Sequence, residues 1–387
     1  MAVLSSFQKI TRVLPGMPFG SGADGAYSSA TIPTLTKDSC SGTATSTTLT
    51  TAGSTFANGD ILLIHQTRGT GAGQWEINKV ASGGGSTSLT LQVANHYTYT
   101  DSGASQAQAI KIPQYTNVTV QSGTWTVPAW DGNVGGIGVF ASKGTVMVTG
   151  NVTGASIGFR GTASDGAQIR LTGYQGEGTS GDNTTRSTSA NGTGGGGGEY
   201  ASGGAGHPGA GAGGGHALAG SNGGSGDPGV GGTQGAQGGS ADLVTAIFGG
   251  SGAQGGTDQS NPATAGVGGN SGGGWIIFAR NIVFSGTNNV NGANGTNSSN
   301  SSWGGGGGGG SGGFCLIACS TATLGSNLIT ATAGTGGTGG GTGGTGSVGR
   351  IAVHHSGTVT GTTNPSFTDI TDGSLIEMGG SFIFSLI

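Results

Sequence analysis

Charge is scarce in this chain. Asp, Glu, Lys and Arg make up 7% of its 387 residues, where an ordinary globular domain carries about a quarter. Lys and Arg number 12 without a basic cluster, and the formal net charge is −4. Nucleic-acid binding needs concentrated cations to release counterions, so this composition speaks against it. Low charge equally speaks against a solvated disordered tail. No run approaches the ~18 apolar residues of a membrane-spanning helix, and no span is expected. The opening MAVLSSFQKITRVLPG lacks the charged start and apolar core of a secretory signal. The expected location is extracellular, on a cell surface or in a virion. Such a chain is released without a cleaved signal, as virion proteins are on lysis, or has a leader outside this sequence.

Cysteine is also scarce, with Cys40, Cys315 and Cys319 giving an odd count. Cys315 and Cys319 fall four apart in a strand-like FCLIACS, hence about 13 Å apart along it, too far for a bridge. Buried free thiols are the first reading; a link through Cys40 or between subunits is the other.

Glycine is what the chain has instead, 92 residues of it. From Gly220 it recurs at every third position through Gly223, Gly226, Gly229, Gly232, Gly235 and Gly238, and again from Gly334 through Gly337, Gly340, Gly343 and Gly346 to Gly349. Shorter runs start at Gly203, Gly249 and Gly266. A left-handed helix with three residues per turn places such positions along one edge, where glycine lets backbones approach closely. Ordering glycine is entropically costly, so many lateral N–H···O=C bonds must offset it. The expectation is a bundle of polyglycine-II helices.

Taken in order, residues 1–16 read as an amphipathic segment. Val3, Leu4, Phe7 and Ile10 recur at helical spacing before the Pro15-Gly16 stop, forming a candidate assembly or docking face. Residues 17–128 hold short β-branched runs between Gly, Asn, Asp and Ser turns, predicting a β-sandwich-like or barrel-like module that holds Trp75, Tyr97, Tyr99, Tyr115 and Trp125. Residues 129–363 contain a repeat seen at Gly136–Gly161, Gly274–Ser298, Gly313–Gly337 and Gly349–Thr363. Each unit is glycine, an apolar strand, a link, a second strand and more glycine. That self-similarity predicts β-helix or solenoid-like rungs, with the glycine tracts as insertions leaving one face. Residues 364–387 end in GGSFIFSLI, an apolar strand segment. Phe382, Phe384 and Ile387 there either complete the chain's own sheet or add to a partner's.

Chemistry-bearing motifs are weak. GxSxG occurs at Gly154–Gly158 and Gly269–Gly273, but a hydrolase needs that motif on a strand-turn-helix with a partnered His and acid. The six histidines include no HExxH, and Gly-Lys of a phosphate loop is missing. No catalytic residue, metal or cofactor is assigned. Seven N-x-S/T sequons occur, and Asn294, Asn297 and Asn300 crowd together as candidate glycosylation sites.

The zone from about Gly192 to Gly349 resembles, in composition and triplet register, the glycine-rich distal tail-fibre adhesins of T-even-like bacteriophages. Rungs such as GWIIFARNIVFSG and SVGRIAVHH also look like glycine-rich bacterial surface proteins. The resemblance implies packed polyglycine-II helices whose loop tips touch a host receptor; Tyr174, Tyr200, His207, His216 and Trp303 are the candidate recognition residues. Three functions compete: a structural subunit self-assembling into an extracellular fibre, which leads; a phage adhesin recognising cell-surface glycans or proteins; and a polysaccharide-active β-helix enzyme, the weakest. The expected partner is a further copy of the chain. The triplet register is testable directly. Gly229→Val, on a packed edge, should abolish most assembly, whereas Val230→Ser and Thr233→Ser should leave it intact; sedimentation of the three variants makes the comparison, and equal tolerance would mean the register is coincidental.

Overall fold

The computed structural model describes residues 19–202 and 206–375. The expected N-terminal assembly face (Val3, Leu4, Phe7, Ile10) and the tail residues Phe382, Phe384 and Ile387 lie outside the described residues. Those that are described are almost entirely β or extended, with one short 3-10 turn at Gly373–Leu375.

After β1 (Tyr27–Ser29) comes a closed barrel of β2 (Lys37–Ser41), β3 (Thr48–Thr51), β4 (Ile61–Arg68), β5 (Trp75–Ser82), β6 (Ser88–Leu91) and β7 (Gln106–Lys111). Its strand order is β2-β3-β6-β5-β4-β7, every neighbour antiparallel. The sandwich-like expectation is thereby corrected. β2 uses Lys37–Ser39 to pair with β7 and Cys40–Ser41 to pair with β3, which closes the sheet on itself and leaves no edge. Strict alternation fills the interior: Leu49 and Leu89 face each other across β3 and β6, with Leu62, Ile64, Val80 and Leu91 around them.

One curled sheet, in which all pairing is parallel, takes β1, paired to Val118–Val120, and the strands that follow the barrel. They are β8 (Gln114–Tyr115), β9 (Val118–Val120), β10 (Thr124–Thr126), β11 (Ile137–Val148), β12 (Asn151–Thr153), β13 (Gly274–Phe284), β14 (Asn288–Asn289), β15 (Phe314–Thr330), β16 (Arg350–His355), β17 (Val359–Asn364) and β18 (Thr368–Thr371). The four sequence repeats meet residue by residue: Ile137 opposite Gly274, Gly274 opposite Phe314, Phe314 opposite Arg350. Their first strands are continuous apolar runs because both faces are covered. Trp275, Ile277, Cys315 and Ile317 point into the curl, while Ile276, Phe278, Phe314 and Leu316 point out against the barrel. Glycine makes room for rings on the adjoining strand. A Cβ on Gly138 would stand 2.6 Å from the Trp275 ring, and one on Gly274 2.1 Å from that of Phe314.

Between β12 and β16 the glycine-rich segments leave the sheet and return, hydrogen-bonded sideways to one another. Segment 207–216 shows the rule. Its N–H groups at 209, 212 and 215 donate to 199, 196 and 193; those at 210 and 213 to 224 and 221; those at 211 and 214 to 306 and 309. Its carbonyls accept from 229–238, 250–256 and 344–347. Successive residues thus address different neighbours, and every third addresses the same one. Segment 304–313 is enclosed in the same way, donating to 341–347, 290–296 and 250–256 and accepting from 211–214, 266–272 and 334–340. Glycine is required there by distance: a Cβ on Gly308 would lie 1.9 Å from the Ala212 carbonyl oxygen, and one on Gly213 2.0 Å from that of Thr345. The test positions divide as the register demands. Gly229 is buried, and a Cβ there would stand 2.5 Å from the Gly209 amide nitrogen, whereas Val230 and Thr233 are exposed.

The barrel is locked to this assembly by buried polar contacts. Glu177, fully buried, pairs with Arg68 of β4, receives the Arg160 Nε–H at 2.9 Å and the Trp130 indole N–H at 3.2 Å. Burial alone would lower the Arg160 guanidinium, but the hydrogen bond and charge of Glu177, with Asp182 and Asp131, hold it above its ordinary value. The Trp75 indole N–H donates to the Leu243 carbonyl at 3.0 Å, and Gln108 bonds the backbone of Gly135 in both directions. Glu177→Ala, which leaves Arg68 buried without its carboxylate, should cost about 3–5 kcal/mol in denaturant unfolding; a loss below ~1 kcal/mol would show the cluster to be replaceable by water.

Candidate functional site

The glycine segments run from the sheet to a free end built of turns. At that end the Asp258 N–H donates to the Trp303 carbonyl at 2.8 Å, and Ala201 bridges to Asp258. The Asp258 carboxylate caps its own turn, accepting from the N–H groups of Ser260 at 2.8 Å and Asn261 at 2.7 Å. Asn300 does the same for the next turn, accepting from the N–H groups of Ser302 at 2.8 Å and Trp303 at 3.2 Å. His207 donates its N–H to Asp227 at 2.7 Å and lies beside Gly340, whose own N–H bonds to Gly304.

The structure therefore brings Tyr200, His207 and Trp303 to one end. His207 is exposed, Trp303 is 36% exposed and Tyr200 is half-buried. Tyr174 sits on the flank beneath the Arg186 guanidinium, 3.8 Å from the ring centroid. His216 is not a tip residue. It is fully buried and its Nδ1–H donates to the Gly312 carbonyl at 2.8 Å. His207 and His216 stand at opposite ends of segment 207–216, the first accepting from the Gly229 N–H and the second from the Gly238 N–H, so the tip expected at His216 falls at the buried end.

The crowded asparagines have a structural task. Asn291, Asn294 and Asn297 each place Oδ1 on the backbone N–H of Thr332, Thr335 and Thr338, at 2.8, 2.9 and 2.8 Å. Asn294, Asn297, Thr335 and Thr338 remain exposed. Two rows, each repeating every third residue, are clipped together along a wall, and the matching triplet spacing of Asn and Thr was the signal available in the sequence. All three cysteines are free and buried. Burial pushes the thiols of Cys315 and Cys319 up to about 12, and burial followed by the charges of Asp101 and Asp38 raises Cys40 well above its ordinary value. Among the described residues no three His, Cys, Asp or Glu side chains converge as metal ligands would, and no helix is long and apolar enough to cross a membrane.

Compared with known protein families, with curated proteins and with solved structures, the chain matches none.

Two buried histidines make stability depend on pH. His65 bonds the Ala246 carbonyl through Nε2 at 2.7 Å, joining the barrel to the segment that covers it. Burial holds both His65 and His216 down at about 4, from an ordinary value of 6.5. Between those limits the unfolded chain binds more protons than the folded one, so stability falls as pH drops from about 6.5 to about 4. The loss reaches roughly 3 kcal/mol for each ring. Urea midpoints at about pH 7 and about pH 4.5, close to the two ends of that window, should differ in the parent chain. The His65→Gln, His216→Gln double variant should lose most of the difference; an unchanged slope would place the acid sensitivity in other groups.

Proposed function

We propose that this chain is a non-enzymatic structural protein, the repeating subunit of a self-assembling extracellular or virion fibre. The curled parallel sheet is read as a short β-helix of stacked rungs. The glycine segments are read as polyglycine-II helices, since the third-residue recurrence of their lateral bonds is that of a helix with three residues per turn.

The observation that carries the fibre reading is the open edge at each end of the parallel sheet. Among the described residues β1, Tyr27–Ser29, is paired on one side only, and at the other end β17 and β18 each have a single side of pairing. Soluble proteins usually protect such edges with lysine, proline or inward charge. Here the five described strands that pair with another strand on one side only, β1, β8, β10, β17 and β18, carry one charge, Asp369, which is engaged by His355 at 2.6 Å. Because the two edges differ, contact between copies is head-to-tail, and a head-to-tail contact that does not close on itself grows into a filament. The uncharged glycine wall adds little repulsion between neighbouring copies.

A second reading, a receptor-binding adhesin, is supported by the convergence of Tyr200, His207 and Trp303 on one end, since aromatic tips are effective on glycan and protein surfaces. Electron microscopy of the full chain separates the two. Filaments of constant axial rise are expected; monomers or trimers that adsorb to cells through the aromatic end would overturn the fibre reading in favour of the second.

A further inference from the structure

Away from the glycine bundle, the barrel carries an open groove of about 500 Å³. One wall is Thr43, Ser46 and Thr48; the other is Thr98, Thr100 and Asp101. The floor is a paired bridge in which the Gly42 N–H donates to the Tyr99 carbonyl at 3.0 Å and the Tyr99 N–H returns to Gly42 at 2.7 Å. Hydroxyl groups dominate the lining. Among the described residues Asp101 is its single charged side chain, and no Lys, Arg or His lines it.

The first wall is held far more firmly than a surface loop needs to be. Asn95, 1% exposed, donates through Nδ2 to the carbonyls of Ser46 and Thr48, each at 3.0 Å. Its backbone N–H bonds Ser46 at 2.8 Å and its carbonyl accepts from Thr45 at 2.7 Å. Between these anchors Thr45 is held at a φ of 67°, a conformation a β-branched residue adopts only under constraint. Gly42 is needed for the fit, because a Cβ there would lie 2.9 Å from the Asn95 side-chain Nδ2 and 3.2 Å from the Thr48 carbonyl oxygen. The groove is thus preorganised, the condition under which polar side chains bind without first losing their own freedom.

We infer that this groove is a binding site for a neutral saccharide of two or three hexose units. Serine and threonine hydroxyls both donate and accept, matching sugar hydroxyls that do the same. A carboxylate accepts from two adjacent hydroxyls in charge-assisted bonds. With Asp101 present and no cation, phosphate, sulfate and uronate are repelled, and the volume lies within the range of small-molecule sites. This assignment is independent of the fibre and of the aromatic end of the bundle.

Titration calorimetry of the full chain with maltopentaose, cellopentaose and chitopentaose, with a galacturonic acid pentamer as the anionic comparison, tests it. Saturable binding of at least one neutral pentamer is expected below ~1 mM. The near-isosteric double variant Asp101→Asn, Thr100→Val should weaken it about tenfold or more, which is ~1.4 kcal/mol, with the far-ultraviolet circular dichroism and thermal midpoint unchanged. No saturable binding of any neutral pentamer up to ~10 mM, equal binding of the anionic one, or undiminished affinity in the folded double variant would each overturn the assignment. Should the double variant misfold, paramagnetic broadening by a spin-labelled pentamer decides: resonances of residues 41–48 and 98–102 must broaden, and broadening elsewhere would overturn it.

Discussion

Close approach of backbone to backbone is the constraint on which this structure depends. In the glycine-rich half, carbonyl oxygens of neighbouring segments stand about where a Cβ would be, at 1.9 Å from the Gly214 position and 2.0 Å from that of Gly252. None of these glycines needs a left-handed φ; positive values are confined to turns and segment ends such as Gly192 and Gly239. Glycine is used here for its missing volume. The close contacts permit a network in which successive amides reach different neighbours, and its many modest hydrogen bonds offset the large entropy of ordering glycine.

The network does not hold itself in place alone. β13, β15 and β16 each begin directly after a returning glycine segment, at Gly274, Phe314 and Arg350. The spacing of parallel strands therefore sets the spacing at which the segments enter the bundle. Two of the three conventional hydrophobic cores lie on the faces of that sheet, one inside the curl and one shared with the barrel, and the third fills the barrel. Phe248 links them to the bundle by stacking on Phe314 at 6.2 Å and meeting Phe159 and Trp130 edge-on. Glu177 then ties barrel strand, bundle and the turn after Trp130 through one buried carboxylate. Three different stabilising mechanisms, apolar packing, lateral amide bonding and buried charge pairing, are arranged in series.

An uncharged wall of threonine and asparagine, open sheet edges and a cluster of aromatic residues at the far end belong together physically. Lateral bonding along the bundle keeps the end turns at a fixed distance from the sheet. A hydroxyl-lined groove on the barrel places a second kind of surface, suited to neutral polar ligands, on a part of the chain built by ordinary β rules.

Local chemistry made some of this legible from residues alone. The all-β character followed from short β-branched runs between turn residues, the side-by-side pairing of the four repeats followed from their shared pattern, and the buried edge at Gly229 followed from glycine at every third position. These are properties of period, which a linear sequence records. The register of the repeats did not follow, because Gly274, the leading glycine of the second unit, pairs with Ile137 and Phe314 and so sits one residue out of line with Gly136 and Gly313. Barrel closure was decided by β2 dividing its few residues between two partners, and no periodicity encodes that choice. His216 was misplaced because a histidine in a glycine tract was taken to lie at a tip, whereas packing buries it at 0% exposure against the Gly312 carbonyl. Glu177 and Arg68, far apart in sequence, became partners only when the barrel docked, and the groove exists only because Asn95 holds 43–48 opposite 98–102. Sequence determined which segments repeat and where backbones can touch; tertiary structure decided which touch which, because burial and pairing depend on neighbours distant in the chain.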